Sequence, residues 1–94
     1  MQVRWLRRAL KNLDEEAEYI AAEDPEAAAR IVERIVGAVN RLATHPHSGR
    51  PGRVPGTREL VISGTPYLVP YRVHGRTVEI FRVFHGARKW PEHF

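Results

Sequence analysis

Residues 57–84, which read TRELVISGTPYLVPYRVHGRTVEIFRVF, decide the fold of this chain. Apolar and polar residues alternate along much of the stretch, and a period of two is typical of β-strands. We expect strands at 57–62, 67–73 and 77–84, with turns at 63–66 and 74–76. The second turn is short enough to join the last two strands as a hairpin. The stretch therefore predicts a mainly antiparallel sheet.

The middle strand should present Tyr67, Val69, Tyr71 and Val73 on one face and Arg72 on the other. Pro70 interrupts this strand because proline has no N–H to donate to a neighbouring strand. We expect the position of the missing N–H to face a sheet edge or a bulge.

The last strand carries two residues of chemical interest, Arg82 and His85. Because neighbouring residues alternate, these two side chains leave opposite faces of a regular strand. They can share one site only if the strand bulges or ends between them.

Upstream of the strands, the spacing of apolar residues changes to that of helices. A short apolar segment at 3–6 is a candidate first strand, and a first helix follows at about 7–22. Asp24-Pro25-Glu26 then predicts a new helix, since aspartate caps free N–H groups and proline suits the first helical position. This second helix should run to about Ala43 and fold back on the first as an antiparallel hairpin. Residues 45–56 contain three prolines and three glycines and predict a basic loop.

The order β-α-α-β-β-β predicts an α+β fold, with the helical hairpin packed on one face of the sheet and the other face free. A chain of 94 residues predicts a single domain over 1–94. It has no cysteine and no stretch of about 20 apolar residues. We therefore expect a cytoplasmic protein with no membrane contact and no disulfide.

The net charge of +4 is distributed unevenly along the chain. Residues 1–46 carry seven Lys/Arg and eight Asp/Glu, whereas residues 47–94 carry eight and three. The basic second half indicates an anionic partner, either nucleic acid or an acidic protein. Solubility alone is the alternative interpretation.

Several segments together resemble the toxins of the RelE/ParE superfamily, which bacterial type II toxin–antitoxin modules encode. These segments are LDEEAEYIAAEDPEAA, GTRELVI, PYLVPYRV and VEIFRVFHGARKW, and with the basic helix start they cover almost the whole chain. The resemblance implies the fold, a dedicated antitoxin, and one of two targets. RelE-like members cleave messenger RNA in the ribosomal A site, and ParE-like members inhibit DNA gyrase.

Ribonuclease chemistry of the RelE type needs a general acid or base and cations around the phosphate, but no metal. Histidine is the side chain best suited to act as an acid or base near neutral pH, and His85 is the candidate for this role. Arg58, Arg82 and Arg88 are candidates for holding phosphate. Tyr67, Tyr71 and Trp90 are candidates for stacking on a base, although packing in the core or on the sheet face is the alternative for the two tyrosines.

One departure argues against cleavage. RelE-like nucleases tend to carry an arginine before the aliphatic pair of the middle strand, where this chain reads Pro66-Tyr67-Leu68-Val69. The closing FRVFHGARKW resembles the ParE-like pattern instead. We therefore favour DNA gyrase as the target and keep the ribosome-dependent endonuclease as the alternative. The candidate target contacts are Arg72, Arg88, Lys89, Trp90 and Tyr71.

The implied antitoxin should have an acidic, partly disordered tail that folds on contact. We expect it to cover Leu13, Tyr19 and Ile20 on the helical hairpin and to meet Arg50 and Arg53. A non-toxic module that only binds an antitoxin is a third possibility. No metal is expected, because His45 and His47 have no third ligand fixed nearby. No cofactor is expected either. The resemblance implies that the antitoxin carries the DNA-binding domain, so no direct sequence-specific DNA binding by this chain is expected.

Overall fold

The computed structural model describes residues 1–86 and 93–94. Arg88, Lys89 and Trp90 lie outside the described residues, so the predictions for them stay predictions. The helices and strands are β1 Gln2–Trp5, α1 Arg7–Ala21, α2 Pro25–Asn40, a 3₁₀ helix Arg41–Ala43, β2 Arg50–Pro51, β3 Arg58–Val61, β4 Tyr67–His74, β5 Thr77–Ile80 and β6 Phe84–His85.

The described strands form one sheet in the order β1-β5-β4-β3-β2, with β6 paired to β4 beyond the end of β5. All pairs are antiparallel except β1 with β5, which run parallel with Val3 opposite Val78. This arrangement confirms the predicted α+β fold with a mainly antiparallel sheet. The predicted loop at 45–56 is partly wrong, because Arg50 and Pro51 form β2 against β3.

The helical hairpin forms as predicted, with only two changes at the helix ends. The Asp24 side chain accepts a hydrogen bond from the backbone N–H of Ala27 at 3.1 Å, and Pro25 begins α2. α1 ends at Ala21, close to the expected boundary. α2 ends at Asn40 instead of Ala43, because the last turn tightens into the 3₁₀ helix.

The core lies between the hairpin and one face of the sheet, called here the inner face. Tyr67, Val69 and Tyr71 are buried there and Val73 packs against them, which confirms the predicted shared face of β4. The other buried members of this cluster are Ala9, Ile35, Ala38, Val39, Leu42, Ile62, Val78, Ile80 and Val83.

A β-bulge separates β5 from β6. Tyr71 pairs with Ile80, and Leu68 pairs with Phe84. The two pairs are three residues apart along β4 but four residues apart along the other strand, so that strand contains one extra residue. The prediction of one strand over 77–84 is therefore wrong. The Phe81 N–H donates to the Pro70 carbonyl at 3.0 Å. Since the N and O atoms of a strand residue point to the same side, the missing N–H of Pro70 faces this bulge, as predicted.

The opposite face of the sheet, called here the outer face, is not free as expected. Phe94 stacks on Phe81 with ring centroids 5.0 Å apart and lies 6.5 Å from the Phe84 ring. Leu68 and Pro70, which alternate with the inner-face residues of β4, are buried. The phenylalanines thus cover the part of the outer face next to the bulge.

The described residues contain neither a helix that could span a membrane nor a cluster that could hold a metal ion. None of their helices combines the length and the apolar character that crossing a bilayer requires. No group of three or more His, Asp or Glu side chains among them is arranged to hold a metal ion.

Candidate functional site around His85

A cavity of about 510 Å³ opens between α1 and the strands β4 and β6. Its described lining residues are Glu15, Glu16, Tyr19, Tyr67 and His85. The cavity follows from the bulge, because the extra residue puts His85 opposite Tyr67, on the inner face of the sheet. Hereafter it is called the His85 cavity.

A hydrogen bond and a ring contact hold the side chains that line the His85 cavity in place. The Tyr67 hydroxyl donates to Glu16 Oε2 at 3.0 Å, and Glu16 is only 7% exposed. The His85 ring stands edge-on to the Tyr67 ring at 5.8 Å and 78°. Sequence reasoning missed Glu16, although its spacing from Ala9, Leu13 and Ile20 places it on the buried face of α1.

Arg82 does not line the His85 cavity. Its Nη1 donates to the Phe81 carbonyl at 2.9 Å, and its guanidinium lies 5.6 Å from the centroid of the Phe94 ring. Partial burial, and then the nearby charge of Arg8, lower the pKa of Arg82. His85 lies in β6, beyond the bulge that follows β5, but of Arg82 and His85 the structure brings only His85 to the cavity.

Arg58 lies away from His85 and holds the loop before β2. Its Nη1 donates to the carbonyls of Gly49 at 2.7 Å and His47 at 3.2 Å. These contacts tie β3 to the loop.

Tyr71, predicted as a target contact, has a side chain that is fully buried in the core. Its hydroxyl donates to the Pro46 carbonyl at 2.8 Å and accepts from the Gly49 N–H at 2.9 Å. Burial raises the pKa of this hydroxyl, against the opposing Gly49 hydrogen bond and Arg58 charge. A Cβ at position 49 would lie 2.6 Å from the hydroxyl, so only glycine fits there.

Arg72 lies on the outer face, paired with a strand neighbour. Its Nε donates to Glu79 Oε1 at 2.5 Å, and its guanidinium lies 5.6 Å from the centroid of the Phe81 ring. The hydrogen bond from Arg72 lowers the pKa of Glu79. Nearly half of the Arg72 side chain is exposed, so it remains accessible to a partner.

Arg50 and Arg53 share one internal carboxylate, Glu59, which is only 2% exposed. Arg50 Nη2 donates to Glu59 Oε1 at 3.0 Å, while the backbone N–H and Nε of Arg53 donate to Oε2 at 2.8 and 3.1 Å. Burial alone would raise the Glu59 pKa, but the hydrogen bonds from Arg53 and Arg50 outweigh it and the pKa is lowered. We call these three residues the Glu59 cluster. Sequence reasoning missed Glu59 because its partners lie on another strand and in a loop.

The three hairpin residues predicted to meet an antitoxin differ in exposure. Tyr19 is 80% exposed. Leu13 and Ile20 are only partly accessible, because they pack against the core cluster. Of the three, Tyr19 offers the most surface to a partner.

Comparison with known proteins extends this description. A family model described as the ParE toxin of the type II toxin–antitoxin system parDE matches residues 3–90. The chain belongs to the ParE toxin family. The match spans both helices of the hairpin and the whole sheet.

Curated relatives of this ParE-family chain carry toxin names. It is 53% identical over 91 residues to "Putative toxin Y4kP" of Sinorhizobium fredii, which covers 97% of this chain and 94% of the relative. It is 39% identical to "Toxin RelE2" of Caulobacter vibrioides, covering 93% and 97%. The ParE-family chain is thus similar to curated proteins named as toxins, and one of them carries a RelE name.

Two solved structures share the fold. One is titled as the chromosomal ParDE toxin–antitoxin system from P. aeruginosa and superposes with a TM-score of 0.80 at 34% identity, covering 90% of this chain and 95% of that one. The other is the RelBE2 toxin–antitoxin complex from Mycobacterium tuberculosis, with a TM-score of 0.60 at 30% identity and coverages of 89% and 95%. The ParE-family fold described above is therefore the fold of solved toxin–antitoxin structures.

Proposed function

We propose that this ParE-family protein inhibits bacterial growth by acting on DNA gyrase, and that a cognate antitoxin neutralises it. The observation that carries the choice of target is the lining of the His85 cavity. Glu15 and Glu16 stand beside the only residue proposed as general acid or base. Among the residues that the structure describes, no lysine or arginine lines this cavity.

The described part of this lining is poorly suited to cutting RNA. A pentavalent phosphate carries extra negative charge, which nearby carboxylates destabilise and cations stabilise. A missing oxyanion donor typically costs about 2.7–4 kcal/mol of transition-state stabilisation. Arg58 and Arg82, the other described candidates for cleavage, donate to backbone carbonyls elsewhere.

Two assays on the purified protein test the target. We expect it to inhibit supercoiling by DNA gyrase and to leave the messenger intact in a programmed translation extract. His85→Gln should retain growth inhibition, since no proton transfer is required of it. Circular dichroism of the variant controls for folding.

The ribosome-dependent nuclease is the second candidate, because relatives include proteins named RelE toxins and a histidine lines a cavity. Codon-phased cuts in the messenger that disappear in His85→Gln would replace gyrase with this target. A folded protein that neither inhibits growth nor affects either assay would favour the non-toxic antitoxin-binding module.

The antitoxin part of the proposal is supported by the solved relatives, which are toxin–antitoxin systems. We infer that Tyr19 is a main anchor on the hairpin and that the Glu59 cluster, with a net charge of +1, meets an acidic segment. Reversing Arg50 and Arg53 would also strip Glu59 of its partners, so a loss of binding in such variants must be read against their stability.

A substitution at Tyr19 tests the antitoxin contact more cleanly. Tyr19→Ala should weaken binding of the antitoxin encoded beside this chain by roughly tenfold, a common cost for removing an interface tyrosine. Lys11→Ala is the matched control, because Lys11 is an exposed residue of the same helix. Equal affinities for the two variants in isothermal titration calorimetry would remove Tyr19 from the interface.

A further inference from the structure

A second cavity lies at the end of the sheet where β3 begins. It has a volume of about 300 Å³ and is called here the rim cavity. Three of its described lining residues are basic, namely His47, Arg58 and Arg72. The other described lining residues are Pro51, Gly56, Thr57 and Val73, so none of them is acidic. No described residue lines both this cavity and the His85 cavity.

The two arginines of the rim cavity have N–H donors that no described residue uses. A guanidinium carries five such donors in a planar fork. Arg58 uses Nη1 alone, for the carbonyls of His47 and Gly49. Arg72 uses Nε alone, for the Glu79 carboxylate. A ligand in the rim cavity can therefore accept hydrogen bonds from Arg58 and Arg72 without displacing their partners.

The charge around the rim cavity favours an anion. Arg58 forms no salt bridge with a described carboxylate, since its hydrogen bonds go to backbone carbonyls. Glu79 pairs with Arg72 and also lies opposite Arg4 on the neighbouring strand β1. One carboxylate between two guanidinium groups leaves a positive charge there, and Arg58 adds its own. An anion that enters the cavity is therefore attracted from two sides.

Hydrogen bonds within the chain hold the walls of the rim cavity in position. The Thr57 hydroxyl donates to the Val54 carbonyl at 2.6 Å, and the Gly52 N–H donates to the Thr57 carbonyl at 2.8 Å. These bonds fix the turn that leads into β3. On the other side, Arg58 holds the loop that carries His47. Walls that are fixed before binding lose little conformational entropy when a ligand arrives, which favours even a small ligand.

We propose that the rim cavity binds the phosphate group of a phosphate monoester, without cleaving it. Such a group carries about −1.5 to −2 charge near neutral pH and has three terminal oxygens. Its oxygens can accept hydrogen bonds from two guanidinium groups at once, whereas a carboxylate offers two oxygens and a single charge. Both a free nucleotide and the 5′ end of a nucleic-acid strand carry this group. The inference is independent of the gyrase or ribosome target.

Titrations followed by NMR amide shifts test the proposal on the full-length protein. The probes are inorganic phosphate, thymidine 5′-monophosphate and a short 5′-phosphorylated thymidine oligonucleotide, all at the same ionic strength. Thymidine, acetate and the oligonucleotide without its 5′ phosphate are the controls. We expect saturable binding of the three phosphate probes, with shifts concentrated at residues 47, 57–58 and 72–73. Equal affinity for the nucleotide and the phosphorylated oligonucleotide would identify a free nucleotide as the source, and tighter binding of the oligonucleotide would identify a strand end.

Substitutions at exposed residues locate the contact. His47→Ala with Arg72→Gln removes two basic groups from the cavity and leaves Arg58 to hold the loop. This pair should weaken phosphate binding by roughly tenfold, as expected for the loss of a charge-assisted hydrogen bond. His45→Ala with Arg76→Gln makes the same change at exposed residues that do not line the cavity, and should change affinity less than about threefold. Circular dichroism of both variants controls for folding.

Four results would overturn the proposal. The first is the absence of a saturable shift with any phosphate probe. The second is an equal loss in the two variant pairs, which would indicate a diffuse attraction. The third is acetate that binds as tightly as inorganic phosphate, which would make the cavity a site for acidic side chains. The fourth is equal affinity for the oligonucleotide with and without its 5′ phosphate, which would indicate contact with the strand backbone.

Discussion

Glu59 limits the contacts that Arg50 and Arg53 can make with a partner. It is an acidic residue in the basic half of the chain, and its carboxylate takes hydrogen bonds from two arginines that the sequence suggested for a partner. Both arginines remain about half exposed, so they can bind a partner only as members of the Glu59 cluster.

The lowered pKa of Glu59 predicts a pH dependence of stability. A folded pKa below the unfolded value of about 4.3 means that the ionised carboxylate stabilises the fold above that pH and loses this effect as the pH falls through the folded pKa. Glu59→Gln should therefore cost about 1–3 kcal/mol at neutral pH, in urea unfolding, and this cost should shrink as the pH falls through the folded pKa. Glu18→Gln is the control, and a wild-type-like pH profile in Glu59→Gln would contradict the assignment.

Tyr71, like Glu59, stabilises the fold through hydrogen bonds to neighbouring residues. Tyr71→Phe leaves the Gly49 N–H without its acceptor and the Pro46 carbonyl without its donor, both at the edge of the core. We expect a loss of about 1–3 kcal/mol in unfolding free energy, with any growth inhibition retained at temperatures where the variant is folded. Loss of inhibition in a variant as stable as the wild type would restore Tyr71 as a target contact.

At the scale of elements, helix α2 carries an internal glycine, Gly37. Glycine destabilises a helix by about 1 kcal/mol relative to alanine. A Cβ at Gly37 would meet only Arg41 Nη1 at 3.9 Å, which is an ordinary contact. Gly37→Ala should therefore raise the unfolding free energy by about 0.5–1 kcal/mol, measured by thermal and urea unfolding.

Gly64 differs from Gly37 because its backbone conformation favours glycine. It has a φ of 75° in the turn before β4, where a side chain is strained. Gly64→Ala should destabilise the protein, and a Gly37→Ala variant that also loses stability would indicate packing around α2 tighter than the structure describes.

At the scale of the whole molecule, Phe94 closes part of the outer face. It contacts Phe81, Phe84 and the Arg82 guanidinium, and so joins residues from both sides of the bulge. Phe94→Ala should lower the unfolding free energy by about 1 kcal/mol and increase the binding of a hydrophobic dye. His93→Ala, at an exposed neighbour, is the control. Unchanged stability and dye binding in Phe94→Ala would mean that the ring leaves this face in solution.

Local patterns in the sequence were sufficient for most of the architecture. The Asp24-Pro25-Glu26 cap, the helical spacing of apolar residues and the alternation in β4 each depend on neighbours within a few positions. These features predicted the helical hairpin, the mainly antiparallel sheet and the inner face of β4. The four signature segments, spread along the chain, predicted the family.

The functional surroundings required the tertiary structure. The His85 cavity depends on the bulge after Ile80, and nothing in the alternation of residues 77–84 marks where that strand gains its extra residue. The hydrogen bond between Tyr67 and Glu16 joins residues 51 positions apart. The sequence by itself determined the elements and the family, because those depend on local conformational preferences. Only the tertiary structure decided which charges neutralise each other and which surround His85, because those contacts form between elements once the sheet and hairpin have packed.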